Sequence, residues 1–301
     1  MLAVPLGVAA SVVYGASIVV QHRTAQEHAD TGGRTSAASL MRLARNPLWL
    51  IAVISDFAGF LLQAAALSAG PVVVIQPLVV LMLPVALGVS FLMGGHRPRM
   101  GDYLGCLGIL GGLGLFLALV GKPGDARVPG PRTIGLAVVI VLVVGVALCL
   151  AVLGRNRVIR GAVYGVAAGG YFGALAVLVD AASDYAGRHG VSSLFSDLRG
   201  LVPLAGIVLL GAAGILLTQM SFQIGALGAT LPANLAADPL IGVALGTVLL
   251  HEHIPLSSGH LAAYALCLAA VVAGAVRLAD PHAGPIEPDC TPPAVHATPS
   301  A

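Results

Sequence analysis

Long apolar runs alternate along the chain with short polar connections. Each run is about 20 residues long, the length of a helix that crosses the hydrocarbon core of a membrane. The runs are continuous and lack the every-second-residue alternation of a membrane barrel, so the pattern predicts helices. We predict nine spans, at residues 2–20, 47–68, 71–93, 101–120, 133–153, 160–180, 201–221, 229–250 and 257–278.

Composition agrees with this interpretation. Hydrophobic residues make up 57% of the chain and charged residues 9%, and the mean hydropathy is +0.95. Soluble domains carry about 25% charged residues, so we expect the lipid bilayer to be the main partner. The arginines lie in the connections, which gives no basis for nucleic-acid binding. The cysteine spacing fits neither a disulfide framework nor a zinc site. Because no nucleophile–base pair or phosphate loop is evident, we predict neither an enzyme nor a cofactor.

The polar connections and the tail complete the outline of the chain. Connection 21–46 is expected to contain a short amphipathic helix lying on the membrane, at Ser39–Arg45, and 181–200 is its counterpart. The first run lacks a basic leader and is too long for a signal peptide, so we expect it to stay as a span. Residues 280–301 are rich in Pro, Asp and Ala and are predicted to be disordered.

Basic residues are distributed unevenly between the two sides of a nine-span chain. One side receives Arg23, Arg34, Arg42, Arg45, Arg97, Arg99, Arg155, Arg157, Arg160 and Arg277. The other receives Lys122, Arg127, Arg132, Arg188 and Arg199. Since the side richer in Lys and Arg is generally cytoplasmic, we expect an outside N-terminus and a cytoplasmic C-terminus in a bacterial-type plasma membrane.

The stretch 56–95 carries polar groups and prolines inside predicted helices. They are Asp56, Gln63, Gln76, Pro77 and Pro84. Asp56 lies near the middle of its span, roughly 15 Å deep at about 1.5 Å per residue. An Asp at that depth is disfavoured by about 2.5–3.5 kcal/mol, and ionisable residues inside membrane spans usually have a function.

The proline pattern recurs 155 positions later, where Pro232 and Pro239 correspond to Pro77 and Pro84. Residues 7–20 also resemble residues 165–178, with glycines and alanines at matching places. The alternative is a chance alignment of low-complexity Gly/Ala/Val helices.

A repeat of this kind predicts the organisation of the whole chain. The first half, 1–120, and the second half, 160–279, each contain four spans, and 121–159 contains a connecting span. Equivalent spans are five helices apart, an odd number, so the halves are inverted relative to each other. Inverted repeats with interrupted helices are typical of secondary transporters.

The second predicted span has a polar face. Asp56, Gly59 and Gln63 are spaced i, i+3 and i+7, which places them on one side of a helix. We interpret this face as the lining of a substrate path, with Asp56 as a cation ligand or proton carrier. The alternative is a packing stripe whose carboxyl is neutral and hydrogen-bonded. Tyr14 in the first span can face the same path or can serve packing alone.

A second carboxylate, Asp238, lies deep in the eighth span. Pro232 and Pro239 free the carbonyls four residues before them, and Asn234 and Asp238 lie beside those oxygens. Oxygen ligands are what magnesium prefers, so Asp56 and Asp238 are our candidate metal ligands. The alternative is that the four prolines, Pro77 and Pro84 included, act as kinks or hinges only.

Other polar groups in the second half receive structural interpretations. Gln219 and Gln223 near the end of the seventh span are expected to hydrogen-bond between helices. The sequence HEH at 251–253 ends a span, and we interpret it as capping rather than as a metal site.

Short motifs in the first half resemble the drug/metabolite transporter superfamily, and within it the NIPA-type magnesium transporters. The residues that carry the resemblance are Val20–Gln21–His22, Trp49, Gln76–Pro77–Leu78 and Leu104–Gly105–Cys106. The chain departs from the family pattern at Phe60 and Gln63, where the family has an acid or Gln and then an Asn. It also has Gly94–Gly95 in place of Lys-Glu. The resemblance implies an all-α carrier and magnesium as its cargo.

Three functional hypotheses follow. The first is passage of magnesium or another divalent cation, and the second is proton-coupled export of a small organic metabolite or cationic drug. The third is a non-transporting membrane scaffold. Aromatic residues make up only 5% of the chain, which favours an ion or a small polar solute. The oligomeric state stays open, with a homodimer as one option.

Overall fold

Every element in the part of the chain that the structure describes is a helix. The structure is a computed structural model and describes residues 2–29, 36–69, 78–94, 97–120, 129–249 and 257–279. The all-α prediction is confirmed for these residues. In chain order the helices are α1 (Ala3–Glu27), α2 (Ala37–Ala44), α3 (Pro47–Ala69), α4 (Met82–Leu92), α5 (Met100–Val120), α6 (Pro131–Ala151), α7 (Arg157–His189), α8 (Ser193–Ser196), α9 (Leu198–Ile224), α10 (Leu227–Leu249) and α11 (Ser258–Ala279).

Seven of the described helices are long and apolar enough to cross a membrane: α1, α5, α6, α7, α9, α10 and α11. An eighth crossing results if α2 and α3, which meet at a bend of 75°, form one broken span. The predicted span 71–93 is described only in part, as a shorter apolar helix over Leu78–Leu92. The chain is therefore a multi-pass membrane protein, and large apolar side chains such as Leu136, Val143 and Leu150 of α6 are exposed on its outer surface.

Two helices extend well beyond the apolar runs that predicted them. α1 continues to Glu27, and α7 continues to His189, where Gly190 with φ of +87° ends it. Both extensions contain an ion pair at i,i+4 spacing, Arg23 with Glu27 and Arg188 with Asp184. Hydropathy marks the part of a helix that crosses lipid, so it does not register polar turns that continue the same helix.

The described helices form two packed groups, one from the first part of the sequence and one from the second. α1 packs against α3 and α4, while α7 packs against α9 and α10. α5 packs against α11, and α6 packs against α7 and α9. α1 also touches α9, which connects the first group of helices to the second.

Glycines allow the closest of these helix pairs to approach each other. At the α5–α11 crossing, a methyl group added to Gly112 would lie 2.7 Å from the carbonyl oxygen of Cys267, and one added to Gly105 would meet Leu278 and Gly274. Contacts thus run from Gly105 near Gly274 to Gly112 near Cys267, so the two helices are antiparallel. Small residues at such crossings are the usual means by which membrane helices pack.

The prolines differ in their surroundings. α10 continues through both Pro232 and Pro239. Pro84 lies in the first turn of α4, after a turn at Leu81 that interrupts the apolar segment Leu78–Leu92. A proline in the first turn removes no helical hydrogen bond. Pro77 and Gln76 lie outside the described residues, and a hinge role stays a prediction for all four prolines.

Candidate functional site

Asp56 lies where α3 packs against α1. Its carboxylate Oδ1 accepts a hydrogen bond of 3.0 Å from the hydroxyl of Ser17, a buried residue on α1. The Asp56 side chain itself is half-buried. A serine hydroxyl can donate to a carboxylate or accept from a protonated carboxyl, so this pair can hold Asp56 in either protonation state.

A second hydrogen bond joins the same two helices one to two turns away. The Tyr14 hydroxyl donates to Oε1 of Gln63 at 3.0 Å. The Tyr14 ring packs against α3 at Gly59, where an added methyl group would be 3.1 Å from the ring. Three of the predicted site residues, Tyr14, Asp56 and Gln63, are therefore brought together on one helix–helix face.

The helix pair α7–α9 has matching contacts with different side chains. The Phe172 ring lies against Gly214, where an added methyl group would be 2.9 Å away, as the Tyr14 ring lies against Gly59. Leu175 contacts Gly211 at the place that corresponds to Ser17 and Asp56. The second pair thus packs without a carboxylate or a hydrogen bond at these positions.

Two further predicted site residues, Asn234 and Asp238, lie on α10. Asn234 donates to the Thr218 hydroxyl of α9 at 3.3 Å. The backbone oxygen of Asp238 is in close contact with Gly173 of α7, and the Asp238 side chain is half-buried. Asp56, in contrast, is hydrogen-bonded to Ser17 of α1.

The metal-site prediction concerns Asp56 and Asp238. Within the described ranges no group of three or more His, Cys, Asp or Glu side chains could hold a metal ion. Oxygen atoms near Asp56 come instead from the Ser17 and Tyr14 hydroxyls and the Gln63 amide. The HEH sequence at 251–253 lies outside the described residues.

The sequence predicted only part of a buried polar network that lies at one end of the bundle. Gln219 donates to Gln21 at 2.9 Å and accepts from the Trp49 indole at 3.1 Å. Gln223 accepts from Ser39 of α2 at 3.2 Å. The prediction that Gln219 and Gln223 hydrogen-bond between helices is therefore confirmed.

Sequence reasoning did not predict a role for His22 and Gln26 of α1 in this network. His22 Nε2 is 3.1 Å from the carbonyl oxygen of Gly225, and Gln26 donates to the carbonyls of Phe222 and Gly225. The available signal was their i,i+4 spacing at the polar end of an apolar helix. Gln21, His22 and Trp49, three positions that carry the family resemblance, meet in this one network.

Comparison with known proteins gives one relative of nearly equal length. An uncharacterized protein of Corynebacterium glutamicum is 28% identical over 282 residues, which cover 92% of this chain and 94% of the relative. No family model matches the chain, and no solved structure matches it. The chain is thus similar over almost its whole length to a protein whose name states no function.

Proposed function

We propose that this multi-pass membrane protein is a carrier of the drug/metabolite transporter type, built from two inverted four-helix halves around a connecting helix. The proposed halves are α1–α5 and α7–α11 without the short α2 and α8, and α6 connects them. Asp56 is the proposed binding group for a cation or a proton.

Paired contacts support the inverted repeat. The contacts of α1 with α3 and α4 correspond to those of α7 with α9 and α10. α5 crosses α11, its own counterpart, with Gly112 against Cys267, and these two positions differ by the same 155 residues as the prolines. Two equivalent helices that cross in antiparallel fashion are what a two-fold axis in the membrane plane requires.

The single observation that carries the function is the difference between two equivalent helix contacts. At the equivalent positions of the α7–α9 pair, Leu175 on Gly211 and Phe172 on Gly214 make apolar contacts. Packing therefore does not require the carboxylate of Asp56 or its bond to Ser17. A carboxylate that is disfavoured in the membrane and unnecessary for packing supports a role in binding a solute.

Magnesium or another divalent cation is the first candidate cargo. The family resemblance implies magnesium, and the hydrogen bonds on this helix face present oxygens: the Ser17 and Tyr14 hydroxyls and Oε1 of Gln63. Oxygen donors are what magnesium binds, and magnesium usually keeps several of its waters, so one or two carboxylates suffice. Asp238 is the proposed second carboxylate.

Proton-coupled export of a small organic solute is the second candidate. The observation that favours it is that the described residues group no three His, Cys, Asp or Glu side chains. A single carboxylate beside a hydroxyl can exchange one proton for one positively charged solute.

Flux into proteoliposomes tests the carrier proposal and separates these candidates. The parent protein is compared with Asp56→Asn and with the double variant Ser17→Leu plus Asp56→Gly, which copies the packing of Leu175 on Gly211. Magnesium uptake is measured in one set of vesicles and dissipation of a pH gradient in the other. Both variants are expected to fold and to lose flux at least about tenfold, the loss that follows from about 1.4 kcal/mol of binding free energy.

Asp184→Asn is the matched control, because Asp184 pairs with Arg188 at the exposed end of α7. Its flux is expected to equal that of the parent. Magnesium flux that is absent, or unchanged by Asp56→Asn, would contradict the divalent-cation candidate. If no solute moves and no gradient dissipates in the parent, the carrier proposal fails and the scaffold hypothesis gains support.

A further inference from the structure

The buried polar network joins the first half of the chain to the second at one end of the bundle. We name this end the arginine-rich end, because Arg23, whose guanidinium donates to the Met93 carbonyl, and Arg157, which donates to the Ile224 carbonyl, both lie there. The last turns of α1 contact the last turn of α9 and the tight turn between α9 and α10. Ser39 and Trp49 add contacts from α2 and α3.

Side chains of α1 hydrogen-bond to backbone carbonyls at the end of α9 and in the α9–α10 turn. The Gly225 carbonyl accepts from Gln26 at 3.0 Å and is 3.1 Å from His22 Nε2, and Gln26 also donates to the Phe222 carbonyl. His22 is 2% exposed and its ring meets the Phe222 ring edge to face. Breaking these bonds would leave carbonyls at the end of α9 without these partners.

One member of the network is incompletely satisfied. Gln223 is fully buried, and its Nε2 has no hydrogen-bond partner in the part of the chain that the structure describes, although its Oε1 accepts from Ser39. A buried donor without a partner destabilises the arrangement that buries it, and water would satisfy the donor if the contact opened. The network thus combines several interhelical hydrogen bonds with one unsatisfied buried donor, which lowers the stability of the closed arrangement.

We propose that this network is a latch that closes the path from Asp56 at the arginine-rich end and opens in each transport cycle. The latch consists of Gln21, His22, Gln26, Gln219 and Gln223 together with the α9–α10 turn. This inference rests on the proposed carrier function. The structure corresponds to the closed latch, and the unpaired amide of Gln223 keeps the closed state from being too stable to open.

A fluorescent side chain within the network can report whether the latch is open. Trp49 is the only tryptophan, and its indole donates to Gln219 within the network. Quenching of its fluorescence by acrylamide in the aqueous phase measures how far the latch is open. The full-length protein is placed in lipid nanodiscs, so both faces are accessible and no transported solute is needed.

Two variants are expected to move the quenching constant in opposite directions. Gln26→Met keeps the side-chain length but leaves the carbonyls of Phe222 and Gly225 without its bonds. It is expected to raise the ratio of open to closed latch about tenfold, and therefore to raise quenching. Gln223→Met removes the unpaired donor, so it is expected to stabilise the closed latch and lower quenching below that of the parent.

Thr24→Val is the matched control, since the Thr24 hydroxyl donates only to carbonyls of its own helix, those of Val20 and Gln21. Its quenching is expected to equal that of the parent. If both variants quench as the control does, or if Gln223→Met quenches more than the parent, the latch proposal is overturned. Opposite shifts in quenching without any solute flux would show that the network opens and closes, and would overturn the carrier function instead.

Discussion

At the scale of single residues, one kind of packing contact occurs twice, once with a polar group on the aromatic ring and once without it. Tyr14 and Phe172 both place an aromatic ring on a glycine of the neighbouring helix. Only Tyr14 adds a hydroxyl, which orients Gln63. The hydroxyl is therefore the part of the side chain that packing does not explain, and its removal tests its role directly.

Tyr14→Phe is expected to reduce flux severalfold while changing stability little. The ring keeps its contact with Gly59, and an interhelical hydrogen bond in a membrane contributes on average about 0.6 kcal/mol. The Gln63 amide, however, loses the bond that fixes its orientation. Flux in proteoliposomes and thermal unfolding in detergent measure the two effects. Tyr103→Phe, at an exposed position of α5, is the control. If Tyr14→Phe has the same flux as the parent, transport does not depend on the hydrogen bond that orients the Gln63 amide.

The residues of the candidate site differ in how well the sequence predicts them. Asp56 is evident because a carboxylate in an apolar run is costly, and Gln63 follows from its helical spacing. Ser17 is not evident, since serines are common and uncostly in membrane helices. Its role depends on the register between α1 and α3, which is a tertiary property. Whether Asp56 and Asp238 share a ligand stays a prediction.

At the scale of helices, α7 and α10 are held at close range by a row of glycines. A methyl group added to Gly169 would be in close contact with the Asn234 carbonyl oxygen, and one added to Gly165 would lie 2.5 Å from that of Thr230. These neighbours are backbone atoms of a packed helix, so they cannot move as a flexible side chain can. The two helices must separate to admit a side chain here.

Gly169→Ala is expected to destabilise the protein by about 1–3 kcal/mol, the usual penalty for overpacking a well-packed contact. Gly170→Ala, one position along the same helix, is the matched control because its added methyl group would be 3.7 Å from Ile241. That variant is expected to be neutral or slightly stabilised, since Ala favours a helix over Gly. Thermal unfolding of both in the same detergent measures the difference, and equal melting temperatures would contradict the close packing of α7 on α10.

The helices were easier to predict than their ends. Apolar runs predicted α5 at 101–120 and α9 at 201–221, within a few residues of the observed helices. The polar extension of α7 to His189 and the start of α4 at Met82 were not predicted. Both depend on local capping and on proline position, which hydropathy does not register.

At the scale of the whole molecule, the contacts at the arginine-rich end gather the ends of α1, α4 and α9 and the start of α7. This grouping agrees with the side to which the sequence assigned ten arginines. The assignment of that side to the cytoplasm remains a prediction, and it can be tested with single cysteines at exposed glycines.

Gly154→Cys, between α6 and α7, is expected to react with a membrane-impermeant maleimide only from the cytoplasmic side. Gly130→Cys and Gly187→Cys are expected to react only from outside, because one helix separates each of them from Gly154. Added side chains meet nothing within 4 Å at any of the three positions, so the variants should fold. The experiment uses a chain whose own cysteines are replaced, in intact cells and in inverted vesicles. Labelling of Gly154→Cys from outside would reverse the orientation.

The apolar contact of Leu175 with Gly211 also has a consequence for redesign. The double substitution Leu175→Ser and Gly211→Asp would place a Ser–Asp pair in the second half, at the positions that correspond to Ser17 and Asp56. Under the proposed carrier function, a chain with one such pair in each half is expected to bind a different number of charges per transport cycle. Under the proposed carrier function, the transport stoichiometry would then depend on two positions, 175 and 211, that at present make only an apolar contact.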